Sequence, residues 1–156
     1  MITINIPSFR PLKLQHLVLD YNGTIAIDGQ LISGVAELLT ALSADIQIHV
    51  ITADTFGLAG AQLTGLPVTI TVLPPGNQAQ AKRDYVHALD HDGVIAIGNG
   101  RNDRDMLQTA AVGIAVLQKE GASAQTLASA DVVCSSILDA LELLHHPKRM
   151  IATLRS

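Results

Sequence analysis

The 156-residue chain is poor in the residue types that usually announce a function. It has one cysteine, no tryptophan, an aromatic content of 3% and a charged content of only 15%. A lone Cys134 excludes an internal disulfide and a cysteine-built zinc site, and its place in an apolar run predicts a core position. The scarcity of aromatics removes the stacking platforms of single-strand nucleic-acid binders. Ten basic against fourteen acidic residues give a formal net charge of −4, and the pI is near 5.8. That balance argues against binding a phosphate backbone, so no nucleic-acid partner is expected. The longest apolar stretches, such as residues 110–117, fall far short of the ~20 residues a membrane span needs. The opening Met1-Ile2-Thr3-Ile4-Asn5-Ile6 holds neither a basic segment nor a continuous apolar one. The expectation is a cytoplasmic protein with no membrane partner.

What the chain does hold is apolar. Hydrophobic residues make up 48% and the mean hydropathy is +0.34, which excludes disorder. The length suits a single domain over residues 1–156, burying roughly 70% of its unfolded surface. Short β-branched runs alternate with helical patterns, which predicts an α/β domain with a mainly parallel sheet covered on both faces. Strands are expected at residues 16–20, 46–52, 68–73, 94–98, 113–117 and 131–134, with an extra edge strand at 2–6. Val35, Leu38, Leu39 and Leu42 have the i, i+3, i+4, i+7 spacing of one buried helical face, as do Ile137, Leu141 and Leu144; Ala81, Tyr85 and Leu89 repeat it more weakly. Between the first strand and the first helix, Thr24-Ile25-Ala26-Ile27, Asp28-Gly29 and Gln30-Leu31-Ile32 read as a β-hairpin with a tight turn. Pro74-Pro75-Gly76 sets a rigid entry into the helix bearing Lys82.

In an open parallel sheet the carboxyl ends of the strands face a common crevice, so polar residues just past them converge. Asp20 ends the first strand, Thr52-Ala53-Asp54 the second, and Gly98-Asn99-Gly100-Arg101-Asn102-Asp103 the fourth. These are the candidate site.

Asp20-Tyr21-Asn22-Gly23-Thr24 resembles the nucleophile motif of the haloacid dehalogenase-like (HAD) superfamily, Asp-x-Asp-Gly-Thr after an apolar strand. Thr52 is similar to that family's second-motif Thr/Ser, Lys82 to its single basic residue, and Gly98 to Asp103 to its Gly-Asp-Gly-x-Asn-Asp acidic motif. The later segments, including Glu120-Gly121 and Ala130-Asp131-Val132-Val133, resemble the phosphorylation domain of P-type ATPases, which points to a small soluble P-type ATPase-like branch. The resemblance implies a three-layer Rossmann-like fold and a Mg²⁺-dependent phosphohydrolase or phosphotransferase acting on a small phosphorylated substrate through phospho-Asp20. It implies catalytic roles for Asp20, Asn22, Thr52 and Lys82. The implied phosphate contacts are Thr52, Ala53, Lys82, Asn102 and Gly23. The implied metal shell is the Asp20 carboxylate, the Asn22 carbonyl and the Asn99 side chain, with Asp103 close by.

These residue types suit the chemistry. A carboxylate attacking phosphorus divides one displacement into two easier ones. The surrounding Asp20, Asp54, Asp103 and Asp105 would repel a phosphate dianion without a divalent cation and a group such as Lys82. Gly23 and Gly100 suit close approach of backbone N–H groups to an oxyanion. Two positions depart from the family pattern. Asn22 replaces the acid/base Asp and cannot exchange a proton at neutral pH, which predicts slow turnover. Asn99 replaces a metal-binding Asp, which predicts weaker metal binding. The same departures suit an alternative, a catalytically degenerate phosphate- or partner-binding protein.

The short interval from Thr24 to Thr52 leaves no room for a cap domain. The hairpin at residues 24–32 is therefore the expected contacting flap of a homo-oligomer. Other polar residues have plainer readings. Arg83 is either a solvated neighbour of Lys82 or itself the phosphate contact, and Asn102 is either a helix cap or a phosphate ligand. His87 and His91 lie four apart but lack a third metal ligand. His16 and His49 read as structural, and His145-His146-Pro147-Lys148-Arg149 as a helix end followed by a new helix, with its basic residues at a C-terminus.

Overall fold

The structure, a computed structural model, describes residues 1–53 and 57–156. The chain opens with a separate antiparallel pair, β1 (Ile2–Asn5) and β2 (Pro11–Leu14). The expected edge strand at residues 2–6 therefore exists, but it pairs with β2 and not with the main sheet. Pro11 hides β2 from a sequence reading, because proline is tolerated only at a strand's first residue or edge. Ile4, Ile6, Leu12 and Leu14 are buried, so this pair extends the core.

The main sheet is wholly parallel. It contains β3 (His16–Asp20), β6 (Gln47–Thr52), β7 (Thr69–Val72), β8 (Val94–Gly98), β9 (Val112–Val116) and β10 (Val132–Cys134), in the order β10-β9-β8-β3-β6-β7. All six expected strands are present with ends shifted by a residue at most. Between β3 and the first helix lies the hairpin β4 (Ala26–Ile27) and β5 (Gln30–Leu31). Asp28 and Gly29 have φ of 51° and 77°, the left-handed pair that a two-residue type I′ turn requires.

Strand side chains alternate between two cores. Leu17, Leu19, Ile48, Val50, Ile95 and Ile97 pack on one face with α1 (Val35–Leu42), α6 (Ile137–His145) and Met150 of α7 (Pro147–Leu154). Val18, Ile51, Val94 and Ala96 pack on the other with Val86 of α3 (Gln78–Ala88) and Met106 and Leu107 of α4 (Arg104–Thr109). Two shorter helices, α2 (Leu58–Gln62) and α5 (Ala124–Ser129), complete the layers. No inserted domain interrupts the described residues.

Several expectations need correction. Cys134 is half-buried, not core, because β10 is an edge strand on which Val133 is 52% exposed. Lys148 and Arg149 fall in the first turn of α7, the unfavourable end of the helix dipole for cations; Arg149 instead reaches back to Glu142 at 3.0 Å. No helix among the described residues is long and apolar enough to cross a membrane.

Candidate active site

Strand periodicity decides what Asp20 meets. It shares the parity of Val18, so it faces the layer containing α3 and α4. On α3, Lys82 and Val86 lie four residues apart on one buried side. Val86 anchors that side in the core, and Lys82, 1% exposed, extends toward the end of β3.

The Lys82 ammonium donates to Asp20 Oδ1 at 2.7 Å, to Asp103 Oδ1 at 2.7 Å and to Asn102 Oδ1 at 3.4 Å. Three N–H bonds meet three acceptors. Asp103, fully buried, accepts on its second oxygen from the backbone N–H groups of Asn99 and Gly100 at 2.9 and 2.8 Å. Both its oxygens are thus engaged within the chain. Burial pushes the Asp20 carboxyl up and Asp103 adds to the rise, while Lys82 and the Thr24 hydroxyl pull against it; the result is about 6. For Lys82, burial disfavours the ammonium, but the two carboxylates outweigh it and raise its pKa above the usual lysine value.

Thr24 is buried and its hydroxyl lies 3.0 Å from Asp20 Oδ2 and 3.2 Å from Asn99 Oδ1. A hydroxyl has one proton to donate, so it satisfies one of these oxygens at a time. The surplus of acceptor oxygen between Asp20 and Asn99 fits a hard divalent cation, which takes carboxylate, amide and carbonyl oxygens. Among the described residues no group of three or more His, Cys, Asp or Glu side chains could hold a metal, so amide or carbonyl oxygens and water would have to complete such a shell. The Asn99 amide nitrogen donates to Gly121 O at 3.0 Å, which turns its oxygen toward Asp20.

The remaining expected residues sort by position. Thr52 is buried at the end of β6, one residue beyond the Asp20–Ile51 pairing. Ala53 follows it, partly exposed, and Asp54 lies outside the described residues. Asn22 is exposed, two residues beyond Asp20. Gly23 is not free to cradle a phosphoryl oxygen, since its N–H donates to Ala26 O at 2.7 Å; the N–H of Gly100 is likewise taken by Asp103. No acceptor for the Asn22 N–H is present among the described residues. Gly23 serves packing instead. Its φ is +81° and an added Cβ would stand 2.4 Å from the Asn99 amide nitrogen.

Arg83 is exposed and pairs with Asp84 at 3.2 Å, so Lys82 is the basic residue at the site. Asp105 pairs with Arg104 at 3.2 Å. His16 and His49 share a 3.1 Å hydrogen bond, and His49 shares another with the Tyr85 hydroxyl at 3.0 Å. The His87 and His91 rings stack 5.0 Å apart.

Three contributors escaped the sequence reading. One is the Thr24 hydroxyl, quoted in the motif without a role. Another is the Gly121 carbonyl. The third is Gln118, whose amide nitrogen donates to Gly23 O and Thr24 O at 3.2 and 2.9 Å while its oxygen accepts from Ile137 N at 2.8 Å. Gln118 follows β9 by two residues, so the rule that pointed to the ends of β3, β6 and β8 would have found it on β9.

Known proteins resemble this chain in sequence or in fold. A family model for haloacid dehalogenase-like hydrolases matches residues 82–139, which include Lys82 and the whole acidic motif. An uncharacterized protein of Methanocaldococcus jannaschii is 48% identical over 62 residues, 40% of this chain and 67% of the relative. Among solved structures, the cobalt-bound deoxy-D-mannose-octulosonate 8-phosphate phosphatase of Haemophilus influenzae superposes with a TM-score of 0.72 at 12% identity, over 92% of this chain and 94% of that one. The 3-deoxy-D-manno-octulosonate 8-phosphate phosphatase of Moraxella catarrhalis, in complex with magnesium, phosphate and KDO, gives 0.68 at 19% identity over 92% and 94%. The chain belongs to the haloacid dehalogenase-like hydrolase family.

Proposed function

We propose that the protein is a Mg²⁺-dependent phosphohydrolase or phosphotransferase that works through an aspartyl-phosphate on Asp20. The observation that carries this reading is the buried triangle of Asp20, Lys82 and Asp103, with both Lys82 contacts at 2.7 Å. Two carboxylates and one ammonium leave the triangle one negative charge in excess, which favours a divalent cation over a bare phosphate. Asp20, the Asn22 carbonyl and Asn99 would hold that cation, with Asp103 at one remove. The cation supplies charge neutralisation for an incoming phosphoryl group.

Asp20 attacks phosphorus of a phosphate monoester, the bond to the ester oxygen breaks, and the leaving alkoxide takes a proton from water. Lys82, the Thr52 hydroxyl and the N–H groups of Asn22 and Ala53 stabilise the phosphoryl oxygens, while Asn102 steadies Lys82. Water then attacks phosphorus and Asp20 leaves as carboxylate, releasing inorganic phosphate. Asn22 transfers no proton in either step. General acid–base catalysis typically contributes ~10²–10⁴-fold, so the phosphoenzyme should persist, as the likeness to the soluble P-type ATPase-like branch implies. The two solved structures with this fold are phosphatases of octulosonate 8-phosphates, which supports a small phosphorylated substrate here.

The crevice carries no cap among the described residues. We assign the hairpin at residues 24–32 as a flap that a neighbouring subunit covers; a sedimentation experiment showing only monomer at micromolar concentration removes that assignment. The phosphatase reading is tested by hydrolysis of p-nitrophenyl phosphate with and without Mg²⁺, with Asp20→Asn as control. Mg²⁺-dependent release that Asp20→Asn abolishes is expected, and release that survives the substitution overturns it. Mg²⁺-independent phosphate binding without turnover would instead favour a non-catalytic binding protein, the reading that Asn22 and Asn99 suggest.

A further inference from the structure

Beside the phosphate site lies a cavity of about 450 Å³, between the entry to α3 and the turn at residues 101–105. That volume falls in the range of small-molecule sites. Asn102 belongs to both places, since its oxygen accepts from Lys82 while its amide nitrogen donates to Gln78 Oε1 at 3.0 Å. The cavity thus begins two hydrogen bonds from Asp20.

We propose that this cavity takes a second anionic group of the substrate, so that the preferred substrates are phosphate monoesters whose leaving group bears a carboxylate or another phosphate. The inference rests on the phosphohydrolase reading above and names its substrate class. Its basis is the hydrogen-bonding capacity left in the lining. The Gln78 oxygen is occupied by Asn102, and the Asn77 oxygen accepts from the Gln80 N–H at 3.1 Å. Each of these oxygens thus already carries one bond, while the NH₂ groups of the two amides, which only donate, have no acceptor among the described residues. Asp105, the one carboxylate of the lining, is held by Arg104 at 3.2 Å, and Arg104 also reaches Gln125. The Arg101 guanidinium has no acceptor among the described residues. A lining with unengaged amide donors and, beside the Arg104–Asp105 pair, one uncompensated positive charge on Arg101 favours an anion, and guanidinium matches carboxylate and phosphate alike.

Two matched pairs test the proposal in the presence of Mg²⁺. One sets 3-phosphoglycerate against glycerol 3-phosphate, and the other fructose 1,6-bisphosphate against fructose 1-phosphate. Both kcat/KM and calorimetric affinity are read for the wild type, Arg101→Ala and Arg101→Lys. A charge-assisted contact of this kind predicts about a tenfold or greater preference for the doubly anionic member. Arg101→Ala should bring the ratio near one, and Arg101→Lys should retain part of it. A preference in the first pair identifies a carboxylate, and one in the second a phosphate. Ratios near one in both pairs, or a preference that Arg101→Ala leaves intact, overturn the proposal. Failure of the phosphohydrolase reading shows separately, as absence of Mg²⁺-dependent turnover of any ester including p-nitrophenyl phosphate, and the calorimetric ratios then still decide the cavity.

Discussion

The Asn99 amide nitrogen donates to the Gly121 carbonyl at 3.0 Å, and that bond determines which end of Asn99 faces Asp20. A carbonyl only accepts, so the nitrogen is fixed on Gly121 and the oxygen is presented to Asp20. Asn99→Asp restores the negative charge found in the family motif but removes the donor. The substitution should tighten Mg²⁺, seen as about a tenfold or greater fall in its half-saturating concentration in a turnover assay. In EDTA it should lower Tm by roughly 2–4 °C, the consequence of losing about 1 kcal/mol. Unchanged Mg²⁺ dependence would separate Asn99 from the metal.

Asn22 stands where the resembled motif carries an acid/base Asp, and in the proposed mechanism this limits the rate. Asn22→Asp supplies a group able to protonate the leaving oxygen and to activate water. Hydrolysis of p-nitrophenyl phosphate should accelerate by at least tenfold, toward the ~10²–10⁴-fold typical of general acid–base catalysis. An unchanged or slower rate would contradict the role given to this position.

Lys82 holds two buried carboxylates together, so removing it leaves them uncompensated. Lys82→Met should abolish Mg²⁺-dependent turnover and cost about 3–5 kcal/mol in urea unfolding, as breaking a buried ion pair does. Asn102→Ala touches Lys82 only through the longer 3.4 Å contact and should cost no more than about 1 kcal/mol. Equal losses for the two variants would show that the triangle is not the organising element.

The pH dependence of stability has a definite sign. The folded Asp20 pKa, about 6, lies above its unfolded value of 3.8. Its contribution is complete below the unfolded value and is lost as pH rises from there through about 6. In EDTA the wild type should therefore lose stability relative to Asp20→Asn between pH 4 and 7, as followed by urea denaturation. A wild-type stability that rises relative to Asp20→Asn with pH over this window would contradict the buried, carboxylate-facing environment of Asp20.

Much of this arrangement was legible in the sequence, and the exceptions have physical causes. Strand ends carrying Asp20, Thr52 and Gly98 were readable because a buried parallel sheet makes each strand a continuous apolar run, so a polar residue at its end stands out. Lys82, Asp20, Asp103 and Asn102 were readable through the family motif, but the burial of Lys82 was not, because its i, i+4 relation to Val86 acquires meaning only once Val86 is known to be core. β2 was hidden by Pro11. The Gly23 N–H is not available as the expected cradle, since a glycine's permissive backbone says nothing about where its N–H points, and here it closes the turn onto Ala26. Gly121 left no signal because it acts through its main-chain carbonyl, whereas Gln118 stands just past β9, where the strand-end rule applies.

The central claim is that Asp20 becomes phosphorylated. Brief incubation with Mg²⁺ and a labelled phosphate monoester, acid quenching and peptide mapping test it most directly. The predicted result is a hydroxylamine-labile phosphoryl group on the peptide containing Asp20, longer-lived than in Asn22→Asp and absent from Asp20→Asn. A phosphoryl group on another residue, or hydrolysis that proceeds undiminished in Asp20→Asn, would contradict it.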